Sequence, residues 1–353
     1  MKTDKPDIQG KPLISFAVVA YNQARFVREA VEGAFSQTYS PLEIILSDDC
    51  SSDSTFEIMQ AMAAEYAGPH RIILNRNTRN IGIGAHINRI MELSRGDLIV
   101  GAASDDISLP ERTSEIYQAW LDSGEKAFSL DSAYEIIDES GSSLGGSLLR
   151  DPSREQPLLL FSKTLTNLVS GCSHAWHRKV FDVFGPLPDI TSEDIAIPPR
   201  SVLLGGIFHV AKPLLKYRIH ENNVHGGTKP RTTREEIDRM VYYFKDRIKI
   251  CPDVVRCIKQ YKTTIQDPLR IRELDDCVLG INASRADLEM RVKMLTGSPA
   301  ARLYNLVKFV LLHGLHSLNF ALYASQALPN SVYRPLRGIY KVIFGHIRPT
   351  KRI

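Results

Sequence analysis

Several features that would assign this chain to a familiar class are missing from its sequence. Its five cysteines are odd in number and none has CxxC spacing, which argues against a disulfide framework and a zinc site. The first twelve residues are polar and lack the apolar core of a signal peptide, so we expect a cytoplasmic protein. The net charge of +4 is modest, and no nucleic-acid partner is expected. The remaining composition is ordinary for a soluble globular protein.

Acidic residues are absent from the last part of the chain. Between residues 298 and 353 there are eight Lys and Arg but no Asp or Glu. Because the whole chain has a net charge of +4, the rest of the chain has a net charge of −4. A basic tail on an acidic body predicts an anionic surface as the partner of the tail. Residues 303–328 are mostly apolar with polar interruptions, which favours an amphipathic helix lying in a membrane interface. A buried helix in a dimer interface is the alternative.

Residues 13–103 alternate between short apolar runs and helical patterns. The pattern predicts strands at 13–20, 42–46, 71–74 and 98–103, separated by helices at about 26–35, 55–66 and 80–95. This alternation predicts an α/β fold with a doubly wound sheet of a nucleotide-binding type. After residue 127 we expect short strands at 128–130 and 207–210, a hairpin near 139–146, helices at 158–168 and up to Leu204, and helices from about 232.

An acidic signature, Ser104-Asp105-Asp106, directly follows the apolar run 98–103. The carboxyl ends of parallel strands are where α/β sheets bind ligands. Two adjacent carboxylates repel each other unless a cation lies between them and a ligand, and oxygen ligands suit Mg²⁺ or Mn²⁺. A plain loop entering a helix at about 111–121 is the other interpretation.

Four segments resemble, in chain order, the family 2 glycosyltransferases of the GT-A fold. They are SFAVVAYNQARFVREAVEGAFSQTYSPLEIILSDDCSSDST, GDLIVGAASDDISLPER, SEDIAIPPR and KYRIHENNV. The resemblance covers about residues 12–226. It implies a Rossmann-like mixed sheet flanked by helices and transfer of a sugar from a nucleotide diphosphate donor. We therefore expect a tail at 1–11, a GT-A domain at 12–227, a helical extension at 228–298 and an apolar, basic helical tail at 299–353.

The resemblance implies a nucleoside site at the ends of the first two strands. Asp49 matches the aspartate that binds the uracil, and Val19, Ala20 and Tyr21 would contact the base through their backbone and ring. Packing of Tyr21 on the core is an equal alternative. Gly82 belongs to a glycine-containing loop near the donor. Asp53 is better explained as a helix N-cap than as a ligand.

The resemblance also implies a diphosphate and metal site. Ser104, Asp105 and Asp106 match its acidic segment, with Asp105 and Asp106 as ligands of Mn²⁺ or Mg²⁺ and His220 as a third. A carboxylate common two positions before Asp105 is Ala103 here, which predicts a weaker metal site or an Asp105 turned toward the ribose. Arg218 supplies donors suited to phosphate oxygens.

Asp194 matches the catalytic base of the family, with Glu193 beside it to orient the acceptor or Asp194. A helix N-cap is the alternative for Asp194, and Pro198-Pro199 argues against a helix there. His174, Trp176 and Arg178 lie where the family places its acceptor floor. A buried core tryptophan is an equal alternative for Trp176.

Together these expectations describe an inverting glycosyltransferase that uses a UDP-sugar and an acceptor hydroxyl on a glycan or polyprenyl-linked glycan. It would work at the inner face of the cytoplasmic membrane, with peripheral membrane contact through the tail or a homo-oligomer interface there. The alternatives are a non-catalytic nucleotide-sugar-binding or scaffold protein and a nucleotidyltransferase. A nucleotidyltransferase would need a glycine-rich, basic loop after the first strand, where this chain has AYNQARF.

Overall fold

The computed structural model describes residues 10–147, 157–221, 223 and 232–313. Within these residues there are nine strands: β1 (Ile14–Ala20), β2 (Leu42–Asp48), β3 (Arg71–Arg76), β4 (Leu98–Ala103), β5 (Ile107–Ser108), β6 (Ala127–Ile137), β7 (Ser143–Ser147), β8 (Ala175–His177) and β9 (Gly206–Arg218). They form one mixed sheet in the order β3-β2-β1-β4-β8-β6-β9-β5, and β7 pairs with β6. The expected α/β sheet is therefore confirmed.

The first four strands are parallel and form the nucleotide-binding type of half-sheet. Every residue of β2 is buried, in keeping with a strand covered on both faces by helices. The register pairs Ala20 with Asp48, and Asp48 with Arg76, so these strands end side by side. Residues that follow them in sequence therefore meet at one edge.

The second half of the sheet reverses direction. The strand β8 is antiparallel to both β4 and β6, whereas β6 runs parallel to β9. The two strands predicted at 128–130 and 207–210 extend much further, to Ile137 and Arg218. Their extension brings Arg218 to the same edge as the acidic segment that follows β4.

Ten α-helices lie within the described residues: α1 (Val27–Phe35), α2 (Thr55–Glu65), α3 (Ile83–Leu93), α4 (Arg112–Asp122), α5 (Pro157–Thr164), α6 (Lys179–Phe184), α7 (Glu193–Leu204), α8 (Thr233–Lys262), α9 (Pro268–Thr296) and α10 (Pro299–His313). The main core lies between the parallel strands and helices that include α1, α2 and α4. Gln37 links two of them, since its amide donates to the carbonyl of Gly33 and accepts from the backbone of Thr113.

Contacts divide the chain into two compact units. One comprises the described part of Met1–Lys229 together with Lys249–Ile281, and contains the whole sheet. The other comprises the described part of Pro230–Ile248 and Asn282–Ile353, and has its own small apolar cluster that includes Val241, Leu295 and Phe309. No helix in the described part of the chain has the length and apolar character to cross a membrane. Most of the predicted interfacial helix, and the basic tail after His313, lie outside the described residues.

Candidate nucleotide-sugar site

The acidic segment after β4 places its two aspartates in different surroundings. Asp105 is 16% exposed, and its Oδ2 lies 3.0 Å from Nε2 of His220. The side chain of Asp106 is buried; its Oδ1 accepts from the backbone N–H of Arg218 at 2.9 Å. Its Oδ2 has no hydrogen-bond partner among the described residues. Burial, and then the charge of Asp105, raises the pKa of the Asp106 carboxyl well above its ordinary value.

Arg112 supports this segment and also donates to the carbonyl of Cys172 at 3.4 Å, and sequence reasoning found neither residue. Arg112 is buried and donates to the Gly101 carbonyl at 2.7 Å and to the Ser108 hydroxyl at 2.9 Å. Burial lowers the pKa of Arg112 to about 10, and the charge of Asp106 opposes that shift. Desolvation and the charge of Asp106 raise the pKa of the Cys172 thiol. A buried cation therefore lies within electrostatic reach of the buried carboxylate.

The structure places Arg218 differently from the predicted phosphate contact. Its guanidinium is fully buried and donates to the carbonyls of Asp105 and Glu139 and to the carboxylate of Glu29, at 2.8–3.0 Å. It also lies 4.9 Å from the ring centroid of Phe26. Because its N–H groups donate to these protein acceptors, Arg218 joins segments of the protein and does not offer a pair of parallel N–H donors to a phosphate.

The predicted metal ligands form a smaller group than expected. Asp105 and His220 are in contact, but Asp106 turns its hydrogen-bonded oxygen toward the backbone of Arg218. Among the described residues no group of three or more His, Cys, Asp or Glu is arranged to hold a metal ion. Magnesium in proteins is commonly held by one or two carboxylates, with waters and substrate phosphates as the other ligands. The donor set of Asp105 and His220 fits a cation bound in that manner.

Asp49, at the end of β2, holds the loop before α3. It is buried, and its carboxylate accepts from the backbone N–H groups of Ile81 and Gly82 at 3.0 Å and from the Asn77 amide at 2.8 Å. Gly82 has a φ of +79°, which favours glycine there. The predicted base-binding residue and the predicted glycine loop are thus joined to each other.

The loop after β1 is held by the start of α2. Backbone N–H groups of Asn22, Gln23 and Ala24 donate to Ser51, Thr55 and Asp53 respectively. Asp53 also accepts from the backbone of Thr55, the first residue of α2, so it lies one position before the Ser54 N-cap. Burial alone would raise the pKa of Asp53, but these hydrogen bonds lower it. Its role is structural.

The other predicted nucleoside contacts lie at the end of β1. Ala20 is buried and its carbonyl accepts from the backbone N–H of Asp49 at 2.9 Å, while Val19 is half-buried. The side chain of Tyr21 is 47% exposed and is available to a ligand. Nearby, a cavity of about 370 Å³ is lined by Arg25, Phe26, Glu139 and His220, among other residues.

Asp194 and Glu193 lie in the first turn of α7, whose N-cap is Ser192. The helix continues through Pro198 and Pro199, so the argument that these prolines exclude a helix was wrong. The carboxylate Oδ2 of Asp194 accepts a hydrogen bond from the Asn167 amide. A carboxylate in the first turn is stabilised by the positive end of the helix.

The three predicted acceptor residues lie in the core or beside the amino end of β4, away from the acidic segment. Trp176 is 1% exposed and packs against Gly101, with its indole N–H directed to the sulfur of Met91. His174 is also buried, with Nε2 3.0 Å from the hydroxyl of Ser129. Arg178 donates to the carbonyl of Gly96, at the amino end of β4. Because β8 runs antiparallel to β4, these residues lead away from the carboxyl edge.

The sheet order and the acidic edge define a GT-A type of nucleotide-sugar fold. The structure of S. aureus TarS residues 1–349, solved in complex with UDP-GlcNAc, has the same fold: the TM-score is 0.52 at 16% identity, covering 90% of this chain and 82% of that chain.

Residues 15–184 match the family model described as "Glycosyl transferase family 2", and this part of the chain is a family 2 glycosyltransferase domain. An uncharacterized glycosyltransferase of Rickettsia felis is 27% identical over 225 residues, which is 62% of this chain and 36% of that protein. Chondroitin synthase of Escherichia coli is 32% identical over 143 residues, 40% of this chain and 20% of the synthase. The chain thus spans about a third or less of the length of these relatives.

Proposed function

We propose that this chain is an inverting glycosyltransferase that transfers a hexosyl or N-acetylhexosaminyl group from a UDP-sugar to an acceptor hydroxyl. One observation carries the proposal. Two pairs of groups lie at the same edge of the sheet in a family 2 domain: Asp49 with its glycine loop, and Asp105 with His220. TarS, solved with UDP-GlcNAc, supports the choice of a uridine donor.

Asp194 is the general base of the proposed reaction. Its carboxylate takes the proton of the acceptor hydroxyl while that oxygen bonds to the anomeric carbon, and the bond from that carbon to the diphosphate oxygen breaks. Such a base contributes about 10²–10⁴-fold to the rate. Glu193, the preceding residue in the first turn of α7, orients the acceptor.

Asp105 and His220 would hold Mg²⁺ or Mn²⁺, with diphosphate oxygens as further ligands. When bound, the cation would neutralise the charge that develops on the departing diphosphate. The residues themselves bind and orient: Asp106 fixes the backbone of Arg218, and Arg218 in turn holds the carbonyl of Asp105.

The acceptor in this proposal is a glycan or a polyprenyl-linked glycan at the inner face of the cytoplasmic membrane. The eight cationic residues of the acid-free segment 298–353 support attraction to an anionic surface. A homo-oligomer interface is the alternative role of that segment.

A non-catalytic nucleotide-sugar-binding protein is the second candidate function. It is favoured by Ala103, at a position where the family commonly has a carboxylate.

Thermal shift with UDP-, GDP- and dTDP-sugars, with and without Mn²⁺, tests the donor site. A UDP-sugar at about a hundredfold its Kd should raise the Tm by about 5 °C in the presence of Mn²⁺. Asp105→Asn should remove the part of this shift that depends on Mn²⁺, whereas Asp122→Asn, an exposed carboxylate on α4, should keep it. A Mn²⁺ effect of equal size in Asp105→Asn would exclude Asp105 as a ligand. Donor binding without release of UDP would favour the second candidate.

A further inference from the structure

The segment between α5 and β8 packs directly against the carboxylate of Asp194. Asn167 donates from its side-chain amide to Oδ2 of Asp194. A Cβ on Gly171 would lie 3.0 Å from the same oxygen and 3.2 Å from Cγ. Because Gly171 has no side chain, the turn can approach the carboxylate this closely. Asn167 thus donates a hydrogen bond to the Asp194 carboxylate, and the backbone at Gly171 packs against it.

The segment is itself fixed to the sheet. The carboxylate of Asp131 accepts from the backbone N–H of Ser170 at 2.8 Å and lies 2.9 Å from Nδ1 of His209 on the adjacent strand β9. Asp131 and His209 have 1% and 7% exposed side chains. A second link joins the Ser173 hydroxyl to the backbone of Ser132. The support for Asn167 therefore comes from two paired strands and not from a free loop.

We propose that Asn167 is a positioning residue for Asp194. Its amide N–H holds one carboxylate oxygen, which sets the orientation of the group and stabilises its charged, proton-accepting form. The inference rests on the proposed function, in which Asp194 is the general base. Nothing in the resemblance to the family pointed to residue 167; the contact emerges only from the fold.

Other charged and titratable groups surround the Asp194 carboxylate. Glu193 adjoins it in sequence, and Cys172 follows the Gly171 turn that packs against it. The charges of Asp106, Arg112, Asp131 and Asp194 all act on the Cys172 thiol. The test therefore has to change Asn167 while these groups stay the same.

The deciding measurement is the pKa of the Asp194 carboxyl. It is obtained from a pH titration observed by carbon NMR, in protein labelled at the aspartate carboxyls, and the Asp194 signal is assigned by its loss in Asp194→Asn. Removing a donor to the charged form raises the carboxyl pKa. We expect Asn167→Ala to raise the pKa of Asp194, and Asn167→Asp to raise it further through like charge. Thr164→Ala, which removes an exposed hydroxyl bonded to the Leu160 carbonyl at the end of α5, should leave it unchanged.

UDP release from a UDP-sugar gives the catalytic consequence. Asn167→Ala should lower the rate at neutral pH by about tenfold or more, which is the scale of a hydrogen bond to a charged group. It should also move the acidic limb of the pH–rate profile to higher pH. UDP affinity should not change. An Asp194 pKa that is the same in Asn167→Ala as in the parent, or that shifts equally in Thr164→Ala, overturns the proposal. Full UDP release by Asp194→Asn would instead overturn the proposed function, and the NMR result would still decide the role of Asn167.

Discussion

Arg218 joins its own strand, β9, to three other parts of the domain. Its backbone N–H donates to Asp106, and its guanidinium bonds to the carbonyls of Asp105 and Glu139 and to the carboxylate of Glu29. The family resemblance predicts Arg218 near the diphosphate site, but not the direction in which its side chain points. That direction depends on the long pairing of β6 with β9, which places Arg218 opposite Ile137.

Replacing Arg218 by Leu should therefore lower the free energy of unfolding by about 3 kcal/mol or more, because the buried carbonyls would lose their donors. Urea denaturation measures this. Arg25→Leu is the matched control, since Arg25 makes an exposed ion pair with Glu139 and should cost about 0–1 kcal/mol. If both variants lost the same small amount, the structural role of Arg218 would be refuted.

His86 is a buried residue next to the predicted nucleoside site. Its Nε2 lies 2.6 Å from the hydroxyl of Ser47. Burial lowers the pKa of His86 below 6.5, although the charges of Asp49 and Asp48 oppose the shift. The unfolded chain therefore binds a proton at this histidine at a higher pH than the folded chain does. Stability that His86 contributes in its neutral form is lost as the pH falls through 6.5.

His86→Gln removes the titrating group, so the variant should lose less stability than the parent protein when the pH is lowered from 8 to 5, values chosen on either side of the ordinary histidine pKa. The comparison is made within each protein, which cancels any general cost of the substitution. Tm measured across this pH range checks the prediction. Parallel curves for the two proteins would show that His86 does not contribute to acid lability.

At the scale of elements, the apolar runs identified the parallel strands. Most residues of β1, β2 and β4 are buried, whereas β3, at the edge of the sheet, is only partly buried. The strands β6 and β9 were underestimated because they continue into buried polar residues, Asp131 and Ser132 on β6 and Arg218 on β9, whose hydrogen-bond partners lie far away in sequence. The helix α7 contradicted the local preference at Pro198 and Pro199, both of which are buried. Its buried Arg200 bonds to Asp253, an ion pair between residues far apart in sequence. Tertiary contacts of this kind leave no local pattern.

Gly84 controls how closely α3 approaches the segment that leads to Asp194. A Cβ at this position would lie 2.8 Å and 2.9 Å from the backbone carbonyl oxygens of Pro188 and Ile190. Gly84→Ala should therefore destabilise the domain by about 1–3 kcal/mol, since the obstacle is backbone. Gly206→Ala is the control, because its nearest neighbour would be 4.0 Å away. Chemical denaturation of both variants makes the comparison, and equal stability would contradict the packing argument.

At the scale of the molecule, the order of elements and the GT-A fold followed from alternation and from the four family-like segments. The burial of Trp176 follows from the reversed direction of β8, which local sequence does not reveal and which takes this side chain into the core. Asn167 was missed because its partner lies 27 residues away. The donor edge was easier to predict, since the ends of parallel strands necessarily meet.

The most direct test of the account compares the parent protein with Asp194→Asn, using a UDP-sugar and Mn²⁺. Calorimetry gives the donor affinity, and UDP release gives the rate. The proposed mechanism predicts that Asp194→Asn binds the donor as the parent does but releases UDP about 10²–10⁴-fold more slowly. A rate close to that of the parent would contradict it, as would a loss of donor affinity large enough to explain the loss of rate.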